Sequence, residues 1–368
     1  MTDWAKIRAE FPSLAKWTFL NTATFGQSPR CAAEAVARHM ARRVETACMD
    51  FLEWYEDMDR IRAACAKLVN CAPEDIAFIP SSSIGLSFLM QGLDWRPGDE
   101  VLTIEHEFPN QLYLSAAVDR FGARHKVVAW PDFEAALTER TRVVVLSTVN
   151  YATGFRPPLE ELGPFLAERG IALYVDGTQS IGALAFDTQR VRPAILCVDA
   201  YKWLLSPNGA GFVYIAPDLR RMLPPTIIGW RTDRNWREVN TLNHGRPVLS
   251  EDAEKYEGGG LPFPPLYAMG AALRILLAIG MPAIETRVLD LAAQTRALLR
   301  DFGADVNTDA SQIVSACLPG RDSAELARKL KEQRILVSAR HGRLRVSPHF
   351  YNNEEDLEVL RQGIMRCQ

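Results

Sequence analysis

The sequence predicts an α/β fold: a mostly parallel seven-stranded sheet with helices on both faces, joined to a smaller α+β C-terminal domain. Three observations predict it. Seven apolar bursts suited to buried strands recur between residues 75 and 215. Helix-length segments with spaced apolar residues lie between several of them, and that alternation implies parallel strands under helical cover. After about residue 255 the pattern changes to long helical runs and short strand candidates. Length agrees, because 368 residues exceed the roughly 100 to 200 of one domain.

The strand candidates, in order, are DIAFIP (75–80), EVLTIE (100–105), KVVAW (126–130), RVVVLS (142–147), IALYVD (171–176), AILCVD (194–199) and GFVYI (211–215). All read as strands buried on both faces. The segment LEELGPFLAERG (159–170) has helical spacing and ends on a glycine suited to a C-cap. Helices are expected over 265–279, 283–302, 323–333 and 353–365, with strands in QIVSACL and RLRVS. The glycine triplet at 258–260 marks the junction, so residues 20–255 form the large domain and 1–19 with 256–368 the small one.

Composition excludes several classes. Hydrophobic residues are 48% and charged residues 24%, as in an ordinary globular chain rather than a disordered one. Lys plus Arg total 42 against 45 Asp plus Glu, so no net field favours nucleic acid. The seven cysteines are scattered, odd in number and without a CxxC pair, which argues against a disulfide framework or zinc knuckle and suggests reduced, mostly buried thiols. The N-terminus carries charges where a signal peptide needs an apolar core, and the longest apolar stretch, 266–284, contains Arg274. A cytoplasmic location without membrane contact is expected.

In an open α/β sheet, ligand groups collect beyond the carboxyl ends of strands. Asp176 directly follows IALYV, and Lys202 comes 26 residues later, just past the next strand candidate. Trp203, Leu204 and Leu205 follow the lysine. Apolar surroundings disfavour a charged amine and free the nucleophile, which can form an imine with an aldehyde. Taken singly, Lys202 reads as a solvated lysine and Asp176 as a helix N-cap. Three serines in IPSSSIGLSFL lie between a strand and a helix, where hydroxyls and helix amides bind a phosphate or simply cap the helix.

The runs YVDGTQSIGAL and VDAYKWLLSPNGAGFVYI resemble the signature of the class V aminotransferase family, fold-type I enzymes dependent on pyridoxal phosphate (PLP). The likeness extends from FLNTATFGQSP (19–29) to the last helix. It implies PLP held by Lys202, with Asp176 on the pyridine nitrogen and Gln179 on the ring hydroxyl. It also implies Ser82 and Ser83 on the phosphate, assisted by Tyr201, and Phe108 stacked on the ring with His106 as second choice. Asn150 or Tyr151 in LSTVNYATG would border the cofactor. Arg345, in RHGRLRVSPHFYNNEEDLEVL, matches the arginine for the substrate carboxylate, and Asn21 joins it at the substrate. Arg340 and Arg343 compete for that role, since period-2 alternation puts Arg343 and Arg345 on one face. A homodimer with shared active sites is implied. One departure is Gly260 where relatives carry a threonine whose hydroxyl reaches the neighbouring subunit's phosphate.

PLP sites of this family support transamination, desulfuration, racemisation, elimination and kynurenine-type cleavage. No cysteine lies between 335 and 347, and Cys317 and Cys367 fall outside that loop, which disfavours a desulfurase. Kynureninases typically carry a histidine at the position of Gln179. The expected activity is therefore an aminotransferase acting on an amino acid or related amine. The alternatives are a PLP-dependent lyase, of the C–S, desulfurase-like or kynureninase-like kind, and an epimerase. A Rossmann-type nucleotide binder would need GxGxxG where PSSSIG stands, and a binding module without catalysis would not need both Asp176 and Lys202.

Overall fold

Residue parity decides how the central sheet is buried. The computed structural model describes residues 2–242 and 245–367. After a short strand β1 (Thr18–Phe19) come β2 (Ile76–Ile79), β3 (Glu100–Ile104), β4 (Arg124–Val128), β5 (Thr141–Ser147), β6 (Ala172–Asp176), β7 (Ile195–Asp199) and β8 (Gly211–Ile215). The last seven form one sheet in the order β2-β8-β7-β6-β5-β3-β4. Strand β8 is antiparallel to both its neighbours, and every other neighbouring pair is parallel.

Alternate residues feed two separate cores. Phe78, Leu102, Val144, Leu173, Val175, Leu196 and Val198 pack to one side, under helices Phe51–Val69, Leu159–Ala167 and Phe263–Ile279. Ile79, Val101, Val143, Tyr174, Ile195, Cys197 and Val213 pack to the other, against Leu86, Phe88 and Leu89 of helix Ser82–Gly92. Period-2 geometry forces this split, and it explains why the strands read as continuous apolar runs. Helix Leu159–Ala167 ends near Gly170, whose φ of 69° is left-handed, as its glycine requires.

Two expectations need correction. KVVAW is not a doubly buried strand: β4 is the sheet edge, starts two residues earlier at Arg124, and leaves Arg124 and Val127 exposed. Its Arg-His-Lys start suits an edge that must stay wet. The thiols are free but not mostly buried, since Cys65 and Cys197 alone are fully enclosed and Cys317 is exposed.

The remaining strands are β9 (Asp305–Val306), β10 (Val314–Cys317), β11 (Ile335–Leu336), β12 (Ser338–Arg340) and β13 (Arg343–Val346). Four make an antiparallel sheet, β12-β13-β10-β9, and β11 pairs in parallel with β1. A third core unites Leu20 with Leu291, Val314, Leu344, Leu357 and Leu360. No single helix among the described residues is long and apolar enough to cross a membrane.

Candidate active site

Strand β6 ends on Asp176 and β7 on Asp199, and parallel pairing sets Asp176 beside Ser147, the last residue of β5. These side chains leave the sheet at its carboxyl edge, the position where open α/β sheets place ligands.

Lys202 sits three residues past Asp199 on a turn pinned from several sides. The Leu205 amide donates to the Lys202 carbonyl at 3.2 Å and the Gly26 amide to the Tyr201 carbonyl at 2.9 Å. A Cβ on Gly26 would lie 1.9 Å from the Lys202 carbonyl oxygen, so only glycine fits there. Trp203, Leu204 and Leu205 are fully buried. His349 donates from Nε2 to the Trp203 carbonyl at 3.0 Å and accepts the Phe350 amide at Nδ1 at 2.8 Å. Burial pushes its ring down to about 3, so it acts as a neutral brace.

Burial lowers the Lys202 amine to about 8, against the pull of Asp176 and with the push of Arg345. Its Nζ lies 5.6 Å from the Phe108 ring centroid and 5.3 Å from that of Tyr201. Asp176 accepts Gln111 Nε2 at 2.6 Å and the Thr178 amide at 2.9 Å. Burial raises its carboxyl, while Thr178 and Lys202 hold it down. Behind it, Glu107 accepts the Ser147 amide at 2.7 Å and the Ser147 hydroxyl at 2.5 Å. Burial pushes Glu107 up to about 7.

Arg345 is 1% exposed. It donates to the Tyr151 carbonyl at 2.6 Å, the Thr24 hydroxyl at 2.5 Å and the Ser338 hydroxyl at 3.1 Å. All three partners are neutral, and burial followed by Arg340 brings the guanidinium down to about 9. Thr24 in turn donates to Asn21 at 2.8 Å. Arg343 shares the strand but ion-pairs Asp305 at 2.9 Å, whereas Arg340 reaches Thr24 only at 3.4 Å. The structure thus separates three arginines that the sequence could not.

The other expected residues divide. Phe108 lies against Lys202 and meets Tyr151 edge-on at 5.2 Å. His106 is exposed with φ 64° and stands 6.2 Å from His341 rather than beside the lysine. Tyr151 reaches His341 Nε2 through its hydroxyl at 2.8 Å. Asn150 bonds the His106 carbonyl and the amides of Ala152 and Thr153, which makes it a brace of its own loop. Gln179 bridges the Ala23 carbonyl and the Trp203 indole at 3.0 Å each, which leaves one amide hydrogen for a ligand. Tyr201 packs 5.0 Å from Phe25, and burial pushes its hydroxyl up to about 12. Ser83 occupies the first turn of the helix, while Ser82 turns both amide and hydroxyl to Asp199 at 2.8 and 3.2 Å. Gly260 is exposed, and a Cβ added there meets nothing within 4 Å.

Sequence reasoning missed Glu107, Gln111, Thr24, Asp199 and His341. Asp199 carried the same signal as Asp176, an aspartate closing an apolar run; the others became visible only through contacts across the fold.

These residues fit PLP at its ring end. A buried amine of lowered pKa suits an aldehyde, a buried carboxylate suits a protonated ring nitrogen, and Gln111 Oε1 is left buried without a partner beside them. The Aminotransferase class-V family model matches residues 31–366. An uncharacterized aminotransferase of Bacillus subtilis, YcbU, is 24% identical over 95% of this chain and 94% of its own. Isopenicillin N epimerase of Streptomyces clavuligerus is 26% identical over 99% of this chain and 98% of its own. A solved structure of a C-DES variant with glycine covalently linked to its PLP cofactor superposes with a TM-score of 0.90 at 24% identity, covering 97% of this chain and 98% of that one.

Proposed function

Because this chain belongs to the class V aminotransferase family and uses PLP, we propose that it is an aminotransferase acting on an α-amino acid. One observation carries the reading: Arg345, a buried cation with neutral partners only, lies close enough to Lys202 to depress its amine. A small molecule bearing both a carboxylate and an amino group answers both. Bound PLP supplies an electron sink for the pair left at the substrate Cα.

The protein's residues supply the rest. The neutral amine of Lys202 would hold the cofactor's carbonyl carbon, and as a free amine it would serve as the base for the substrate Cα proton. Asp176, fixed by Gln111 and Thr178, keeps a proton on the ring nitrogen. Arg345 holds the carboxylate through a planar fork that limits rotation about Cα. Transfer is favoured over thiol-dependent desulfuration because β12 and β13 are joined by only His341 and Gly342, at φ 48° and 75°, with no room for a cysteine-bearing loop. A second reading, epimerisation, rests on Tyr151–His341, a hydrogen-bonded pair beside Arg345 that offers a second proton-transfer group.

Exposed Phe51, Leu52, Ile227, Ile228 and Trp230 support a homodimer, and seven free thiols support a reducing cytoplasm. Borohydride reduction followed by peptide mapping tests the cofactor link, which must fall on Lys202. In a single turnover, an amino donor should yield one equivalent of 2-oxo acid and no ammonia. Ammonia release would instead identify a lyase, and solvent deuterium at Cα without net product an epimerase.

A further inference from the structure

A helix N-terminus attracts anions through its free amides and dipole. At the helix Ser82–Gly92 the chain supplies that anion itself. Asp199, 8% exposed, accepts the Ser82 amide at 2.8 Å with one carboxylate oxygen and the Ser82 hydroxyl at 3.2 Å with the other. The Ile84 amide turns to the Ser81 carbonyl at 3.1 Å, so two of the first helical amides are engaged. Asp199 is itself held at the end of β7, its amide donating to the Thr178 hydroxyl at 3.0 Å. Lys202 attracts it and Asp176 repels it. Gly260, where an added Cβ would meet nothing within 4 Å, carries no hydroxyl to offset this.

We propose that Asp199 competes with the cofactor's phosphate for Ser82 and its helix end, so that this protein gains little affinity from the phosphate and discriminates weakly between PLP and pyridoxal. The proposal rests on the PLP reading of Lys202. Two like charges cannot share the Ser82 donors, and one must leave or take up a proton. An ordinary phosphate clamp of several charge-assisted hydrogen bonds would favour PLP by roughly a thousandfold or more.

The test titrates apo protein with PLP and with pyridoxal, following the visible absorbance of the Lys202-linked carbonyl. The ratio of the two dissociation constants isolates the phosphate. Wild type is expected to favour PLP by less than about a hundredfold. Asp199→Asn and Asp199→Ser are expected to raise that ratio by on the order of tenfold, about 1.4 kcal/mol, since any change in the Lys202 amine acts on both compounds alike and cancels in the ratio. Inorganic phosphate should likewise compete better against PLP in both variants. A wild-type preference above a hundredfold, or a ratio that stays level or falls in the variants, overturns the proposal. Should the variants fail to fold, the wild-type ratio alone decides. If neither compound develops the absorbance, the reading of Lys202 fails instead.

Discussion

Arg345→Gln separates a site residue from a structural one because its effects on stability and on catalysis should diverge. Burial, followed by the neighbouring Arg340, brings this guanidinium down to about 9. Keeping it charged inside the folded state therefore costs on the order of a few kcal/mol. Against that stand three hydrogen bonds to neutral oxygens, each contributing about 1 kcal/mol net and in part replaceable by the glutamine amide. Loss and gain offset, so the apo variant should melt within about 3 °C of wild type or above it. Catalysis should respond differently. Losing two charge-assisted bonds to a carboxylate removes about 3 to 5 kcal/mol, or roughly 10² to 10⁴ in kcat/KM for an amino acid. The decarboxylated amine of the same substrate should be nearly indifferent. Differential scanning fluorimetry and stopped-flow half-reactions on both compounds make the comparison. A variant that melts 10 °C lower, or loses the same factor on both compounds, would show Arg345 to be a packing residue.

Three further outcomes follow from the geometry. Cofactor capture should rise with pH through about 8, where Lys202 loses its proton, and vanish in Lys202→Arg; capture independent of pH between 6 and 10 would contradict the depressed amine. Glu107 is raised from 4.5 to about 7, so the stability it contributes is complete below 4.5 and lost as pH rises through 7. The unfolding free energy of wild type from urea titration should therefore fall between pH 4.5 and 7, by a ceiling of about 3 kcal/mol, and level off above 7, and Glu107→Gln should flatten that slope, whereas parallel profiles refute it. Gly26→Ala places a methyl 1.9 Å from the Lys202 carbonyl. It should destabilise the fold by about 2 kcal/mol or more and weaken cofactor capture, and wild-type behaviour in both assays would show that the turn can yield.

How far the fold was legible depended on burial. Six strand candidates fall within a residue or two of β2, β3, β5, β6, β7 and β8, because strands covered on both faces carry unbroken apolar runs. Strand β4 shifted because an edge strand needs charge that a burial pattern cannot register. Strands β1, β9, β11 and β12 have two or three residues each, too few to show any period, and exist only through their partners. In contrast, the helix Glu354–Arg366 was visible to its cap, where Asn353 accepts the Asp356 amide at 3.1 Å.

The site was legible in its chemistry and illegible in its partnerships. Asp176 and Asp199 both close an apolar strand, and nothing local distinguishes the one whose partners are Gln111 and Thr178 from the one that caps a helix 117 positions away at Ser82. Strand order makes the difference: β6 lies beside β5, bringing Ser147, while β7 lies beside β8 and faces the helix that follows β2. The same holds for the arginines. Arg343 and Arg345 share one face of β13, yet Asp305 neutralises the outer one and only oxygen dipoles reach the inner. A buried charge without a counter-charge is unfavourable in a folded chain unless a ligand supplies it. Arg345 is thus the residue whose isolation inside the protein argues most directly for a carboxylate-bearing substrate.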